Sequence, residues 1–159
     1  MTIQVSAFRW VPPFAQGYVR DLRVRWALEE AGLPYEAELI DFDIKNSPAY
    51  RRWQPFAQVP AYRDDEVELF ESGAIVLHIA GRSEVLAPRE PEGRARVTQW
   101  VIAALNSIEP FTMELAAIEI FHAGEAWTRE RRPQVEDMVV QRLQALAERL
   151  GDKEHLEGS

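Results

Sequence analysis

The stretch that most restricts the possible folds runs from Gln58 to Ile75. It reads Gln58-Val59-Pro60-Ala61-Tyr62, then Asp64-Asp65, then Val67-Glu68-Leu69-Phe70, then Glu71-Ser72-Gly73-Ala74-Ile75. An X-Pro step enters a short strand, a polar turn follows, a second strand returns, and a helix opens on a hydroxyl residue. Pro60 pushes Val59 to an extended backbone. An X-Pro bond adopts cis at modest cost, and a cis-proline beside a strand leaves the preceding backbone free to pair. Ser72 is a good N-cap, and the unpaired N–H groups behind it form a site for a carboxylate. A bare peptide edge and an anion-binding helix start on one hairpin suit a small peptide-like ligand that carries a carboxylate.

Upstream, Ile3, Val5 and Ala7 alternate with polar residues and predict a first strand. Trp10 to Gly17, with Pro12-Pro13, predicts a loop. A helical pattern runs from about Val19 through Val24, Ala27, Leu28 and Ala31, and Gly32 and Pro34 stop it. Tyr35, Ala37 and Leu39 alternate again as a second strand, so a parallel pair with a right-handed crossover is expected. Hairpin strands follow at about Ala61–Arg63 and Glu66–Phe70, and a helix from Ser72 to about Gly81. Gly81 to Pro91 reads as a linker. Beyond Glu92 the pattern is purely helical: Val97, Trp100, Val101, Ala104, Leu105, Ile108, Phe111, Leu115 and Ile118 recur at three- and four-residue steps. Pro110 should kink that helix. A second helix is expected from about Pro133, at a permitted first-turn position. Trp26, Trp53 and Trp100 fall on periodic faces and read as core. His78 reads as packing, and Arg51-Arg52 and Arg129 to Arg132 as solvated charge.

Charge and composition exclude several classes. The 159 residues carry a net charge of −8, which argues against a nucleic-acid or anionic-membrane surface. No cysteine is present, so disulfides, thiolate metal sites and protein-borne thiol chemistry are out. His122 and His155 lack metal-ligand spacing. No uninterrupted apolar run approaches ~18 residues, so no membrane-spanning helix is expected. The N-terminus lacks the pattern of a signal peptide, and a cytoplasmic location is the default expectation.

The Val-Pro step followed by Glu71-Ser72-Gly73-Ala74-Ile75 resembles the glutathione-binding half of the glutathione S-transferase family. Residues Arg23-Val24-Arg25-Trp26-Ala27-Leu28-Glu29-Glu30-Ala31-Gly32-Leu33-Pro34-Tyr35-Glu36 are similar to the family's first helix running into its second strand, and Ser47 to Pro55 to its variable second helix. The resemblance implies an α/β thioredoxin-like domain over residues 1–81, a linker at 82–91, and an all-α domain at 92–159 of which only the first helices are present. Leu150 to Ser159 resembles a family segment that precedes another helix. The last third of the protein is therefore expected to be missing; the other reading is a natural or vector-derived end to a compact variant.

Glutathione would be the co-substrate, with no metal, and a small electrophile its target. The family also implies a homodimer and a role in detoxification. Since glutathione carries its own thiol, the protein need only bind it and favour the thiolate. Lowering a thiol pKa from ~8.5 by about 2 units takes about 2.7 kcal/mol. In the family a Tyr or Ser hydroxyl before the first helix does this, or a Cys that reacts instead; the absence of cysteine excludes the Cys-using branches. Laid against the family pattern Ser-Pro-Phe-x-x-(Arg/Lys)-Val-Arg, Tyr18 falls on the Ser, while Val19 and Arg20 depart from the Pro-Phe. Ser6, at the end of the first strand, is the second donor candidate; loop amides, Arg9 and Trp10 are the others. Ser72 is expected to hold the γ-glutamyl carboxylate, Glu71 the ammonium, Val59 and Pro60 the peptide edge, and Gln58 or Lys45 the glycyl carboxylate. The loop Trp10–Gly17 with Phe111, Met113 and Leu115 would line the electrophile pocket. A non-catalytic interaction module on the same fold is the alternative.

Overall fold

The computed structural model describes residues 2–157. Strand β1 (Ile3–Phe8) buries Ile3, Val5 and Ala7, as their alternation requires, and turns Ser6 to the opposite face. It pairs in parallel with β2 (Tyr35–Ile40), from Ile3 opposite Tyr35 to Phe8 opposite Ile40. Helix α1 (Asp21–Glu30) makes the crossover. Two short helices follow, α2 (Phe42–Asn46) and α3 (Pro48–Trp53). Asp41 caps α2 through the Asp43 and Ile44 amides, and Ser47 caps α3 through the Tyr50 amide. β3 (Ala61–Arg63) and β4 (Glu68–Phe70) form the hairpin, and β3 adds antiparallel to β1, giving the order β2-β1-β3-β4. α4 (Ser72–Ala80) follows β4 directly.

The sheet has a core on each face. On one, Ile3, Val5 and Tyr62 pack against Val24, Ala27 and Leu28 of α1 and Ile75 and Ile79 of α4. On the other, Tyr50 and Trp53 of α3 pack with Ile40, Val59 and Ala61. Full burial of a side chain such as Leu28 or Ile75 is worth about 1.5–3 kcal/mol each. This layer of α/β structure is the thioredoxin-like domain that the sequence implies. Trp26 is an exception to the expected core: it is exposed on α1 and its indole N–H donates to Glu30. Its place on α1 sets it beside the apolar stripe of Val24, Ala27 and Leu28 and not within it.

The chain divides into two compact units, Met1–Arg94 and Ala95–Ser159. Helical structure begins at Pro91 with α5 (Pro91–Ala103). A π-helical turn, Ala104–Ile108, leads into α6 (Glu109–Ala116), and a second, Ala117–Phe121, ends the run. Pro110 sits in the first turn of α6, where its missing N–H costs least. The wider π turn takes up the mismatch that the sequence predicts as a kink. The whole run, Pro91–Phe121, spans 31 residues, and its best 18-residue window has a mean hydropathy of 1.3. By length and composition alone it meets the mark for a spanning helix, contrary to the sequence expectation. Ala, Val and Ile scattered among polar residues carry that hydropathy, with no uninterrupted apolar run.

α7 (Ala126–Leu150) starts seven residues before Pro133, which lies inside it. The expected start at Pro133 is thus corrected. The Thr128 hydroxyl, bonded to the Glu125 carbonyl, supports a first turn upstream of the proline. Arg131 reaches Glu114, and Arg132 reaches Glu119 and Glu136, so this basic stretch ties α7 to the preceding helices and is not merely solvated.

Candidate functional site

The hairpin register assembles the site. Ala61 pairs with Phe70, so the next position outward sets Pro60 against Glu71. Val59-Pro60 and Glu71-Ser72, eleven residues apart in sequence, therefore share one end of the sheet. The Val59–Pro60 peptide is cis, as the sequence reading expects. Among the described residues, no loop or cap hydrogen bond uses the Val59 amide or carbonyl.

Glu71 has φ +69° and ψ 113°, a backbone that a residue with a Cβ adopts only under constraint. Its carbonyl accepts the Ile75 amide, so Glu71 holds the cap position of α4, and its side chain makes no capping bond. Ser72 is the first helical residue, which corrects the expectation that it is the N-cap. Its hydroxyl is consequently not spent on its own helix. The amides of Ser72, Gly73 and Ala74 precede the first intrahelical bond and point out of the helix end. Ser72 is 5% exposed, and Arg23 of α1 donates to its hydroxyl at 3.4 Å. Arg23, which reaches the Ser72 hydroxyl, is a candidate that sequence reasoning missed. Its signal lay only in three dimensions, because α1 and α4 pack side by side.

Other predicted residues fall at varying distances from this pair. Tyr18 lies between a 3-10 turn at Pro13–Ala15 and α1 and is 83% exposed; its amide donates to Ala15. Gly17, at φ +85°, makes the turn before it in a conformation that glycine adopts freely. Lys45 stands over the rings of Phe8 and Phe42, at 5.9 and 5.1 Å. Phe8 packs against the cluster that holds Val59, so Lys45 shares this end of the sheet. Gln58 is exposed, and its carbonyl accepts the Tyr50 hydroxyl at 2.6 Å.

Ser6 requires a correction. It is 0% exposed, its hydroxyl accepts the Ala61 amide at 2.7 Å, and it lies 2.7 Å from the Tyr50 hydroxyl. Both contacts are internal, so this hydroxyl has no surface to offer a ligand thiol. The alternation of β1 turns it inward, and the apolar neighbours gave no hint of the tyrosine waiting there. Burial raises the Tyr50 pKa, with the Ser6 hydrogen bond acting the other way, so the phenol is neutral and able to donate.

A second polar cluster lies behind the hairpin. Asp64 accepts from the Tyr62 hydroxyl at 2.7 Å, contacts His78 Nε2 at 2.9 Å and accepts from Arg82 at 2.6 Å, all at Oδ2. Its Oδ1 takes the Glu66 and Val67 amides and closes the turn. Burial works against its charge. The hydrogen bonds from His78, Tyr62 and the two amides outweigh burial and hold the carboxyl well below the usual carboxylate range. Tyr62 is pushed far up by burial and by Asp64. No group of three or more metal-ligating side chains occurs among the described residues.

A family profile described as "Glutathione S-transferase, N-terminal domain" matches residues 15–81. Glutathione S-transferase 4 of Zea mays is 29% identical over 153 residues, which cover 92% of this chain and 65% of that protein. Glutathione S-transferase 1 of the same plant is 39% identical over 97 residues, 54% of this chain and 45% of that protein. The chain thus spans about half to two thirds of the length of these curated relatives. Among solved structures, a glutathione transferase from Burkholderia graminis with two glutathione molecules bound per subunit is 27% identical. It superposes with a TM-score of 0.82 over 98% of this chain and 65% of that one. A glutathione transferase family member from Pseudomonas fluorescens with two glutathione bound gives 0.84 at 25% identity, over 99% of this chain and 70% of that one. Profile, relatives and superpositions agree with the hairpin geometry, and residues 15–81 match the N-terminal domain of the glutathione S-transferase family.

Proposed function

We propose that this protein binds glutathione and favours its thiolate for attack on a small electrophile. The observation that carries the reading is the hairpin register, which sets Val59-Pro60 beside the constrained Glu71 and the first turn of α4. In this reading the Ser72 hydroxyl and the α4 amides hold the γ-glutamyl carboxylate. Arg23 adds the positive charge that a carboxylate site in an acidic chain needs. Glu71 takes the ammonium, Val59 pairs with the cysteinyl backbone, and Lys45 or Gln58 meets the glycyl carboxylate. Tyr18 donates to the thiol, and the exposed Trp10 and Phe14 belong to the electrophile side. The glutathione-bound relatives in the family support the ligand; the electrophile, a homodimer and a cytoplasmic location complete the proposal.

The test is retention of the protein on glutathione-agarose, followed by conjugation assays with a panel of electrophiles. Failure to bind glutathione at millimolar concentration defeats the reading. A second reading, a glutathione-binding module without catalysis, is favoured by one observation: Tyr18, the remaining hydroxyl candidate, stands 83% exposed. Binding without conjugation of any electrophile at any pH would select it.

A further inference from the structure

We infer that Tyr50 and Ser6 are positioning residues that aim the Val59 amide at the ligand. The inference rests on the glutathione-binding reading above. Four groups form one buried line. Tyr50 has a single proton and gives it to the Gln58 carbonyl, at 2.6 Å. The 2.7 Å contact between Tyr50 and Ser6 must then be donated by Ser6. Ser6 in turn accepts the Ala61 amide, at 2.7 Å. The order is Ala61 N–H to Ser6, Ser6 to Tyr50, and Tyr50 to the Gln58 carbonyl. The two ends of this line lie on either side of Val59-Pro60, so the segment is pinned before and after the residue proposed to meet the ligand.

Stereochemistry converts the pin into an aim. The Gln58–Val59 peptide is trans, so its C=O and N–H point in opposite directions. Fixing the Gln58 carbonyl on Tyr50, inside the layer between α3 and the sheet, turns the Val59 N–H away from that layer. No other described group takes that N–H in a loop or cap bond. It is then presented as a donor to the peptide carbonyl of a bound γ-glutamyl tripeptide. Phenylalanine would fill the same space in the core but release the carbonyl. The hydroxyl therefore has a task that packing does not explain. Every buried side-chain polar atom among the described residues has a partner, so each deletion in this line leaves a named orphan.

The experiment compares wild type, Tyr50→Phe, Ser6→Ala and the double variant in the full chain. Each is titrated with glutathione by calorimetry, and the Val59 amide is followed by NMR. Tyr50→Phe is expected to weaken glutathione about tenfold, the effect of one lost hydrogen bond to a positioned backbone. The Val59 amide should lose its glutathione-induced shift while the Ser72 and Gly73 amides keep theirs. Because the hydroxyls act in series, the double variant should bind no more weakly than Tyr50→Phe. A general loosening of the core would instead reduce all these shifts together and add across the double variant, and that result overturns the inference. So does wild-type affinity in folded Tyr50→Phe. If Tyr50→Phe does not fold, Ser6→Ala gives the same readout, with the Val59 shift reduced if the inference holds and intact if it fails. Wild type that does not bind glutathione removes the binding reading itself, a failure distinct from the others.

Discussion

Glu71 carries a Cβ into a positive-φ backbone, which costs of order 1–2 kcal/mol for an L-residue. The surrounding register holds it there, between β4 and α4. Glycine takes the same backbone without that cost but has more freedom to lose on folding. Glu71→Gly should therefore raise stability in urea by about 0.5–1 kcal/mol. The same change should weaken glutathione by about 1–3 kcal/mol, because the acid proposed for the ammonium is gone. A variant that is more stable and binds as well as wild type would remove Glu71 from the site. Tyr18 is tested differently. Tyr18→Phe should leave glutathione affinity nearly intact but slow conjugation near neutral pH. The defect should shrink well above a free thiol's pKa of ~8.5, where the thiolate forms unaided. Wild-type rates at every pH would reassign the role to the amides of the Trp10–Gly17 loop. At this scale the cis Val59-Pro60 step and a helix start at Glu71-Ser72 were legible because backbone rules act over adjacent residues, although the cap fell on Glu71 and not on Ser72. Ser6, Tyr50 and Arg23 were not, because each acquires its meaning from a partner 44 to 49 residues away.

The hairpin and α4 are held together by Asp64, whose carboxylate reaches the Tyr62 hydroxyl, His78 and Arg82. Its pKa in the folded state lies below that of an unfolded aspartate, near 3.9. The stabilisation is then fully present above the unfolded value and is lost as pH falls from about 4 towards the folded value. Asp64→Asn should destabilise the protein at pH 7 by about 1–3 kcal/mol, since hydrogen bonds to a charged group weaken. The difference between variant and wild type should narrow as pH falls below about 4, because the unfolded wild-type carboxyl then takes up a proton that the folded one resists. Denaturation midpoints across pH 2–7 check this, and a constant difference would show that Asp64 acts through shape alone. Sequence reading found the turn, since Asp64-Asp65 before Val67 is a local signal. It read His78 as packing because nothing in the helix announces an acid fourteen residues upstream. The start of α7 was misread because Pro133 was taken as its boundary, whereas the chain accommodates that proline within the helix.

For the molecule as a whole, the apolar surface left outside the core sets the last prediction. In the helical unit, the buried residues among those described are Ile118, Thr128 and Val135. Ile102, Met113, Ile120, Val140 and Leu143 stay exposed, and only 6% of the most apolar window of Pro91–Phe121 is buried. The periodicity of these helices was plain in the sequence. What their stripes face was not, because periodicity marks an apolar face without naming what covers it. The chain spans about half to two thirds of its curated relatives' length, so apolar area of this extent marks a face for further chain or for the partner copy of the proposed homodimer. A second copy can cover such faces pairwise, since a two-fold axis buries the same patch on both chains. A two-chain species should therefore dominate in sedimentation velocity at micromolar concentration and dissociate on dilution. Its fraction should hold or rise with added salt, because apolar burial is not screened as ion pairs are. A single-chain species throughout the micromolar range would defeat the homodimer. A dimer that dissolves in high salt would show that charge, and not these helices, joins the copies.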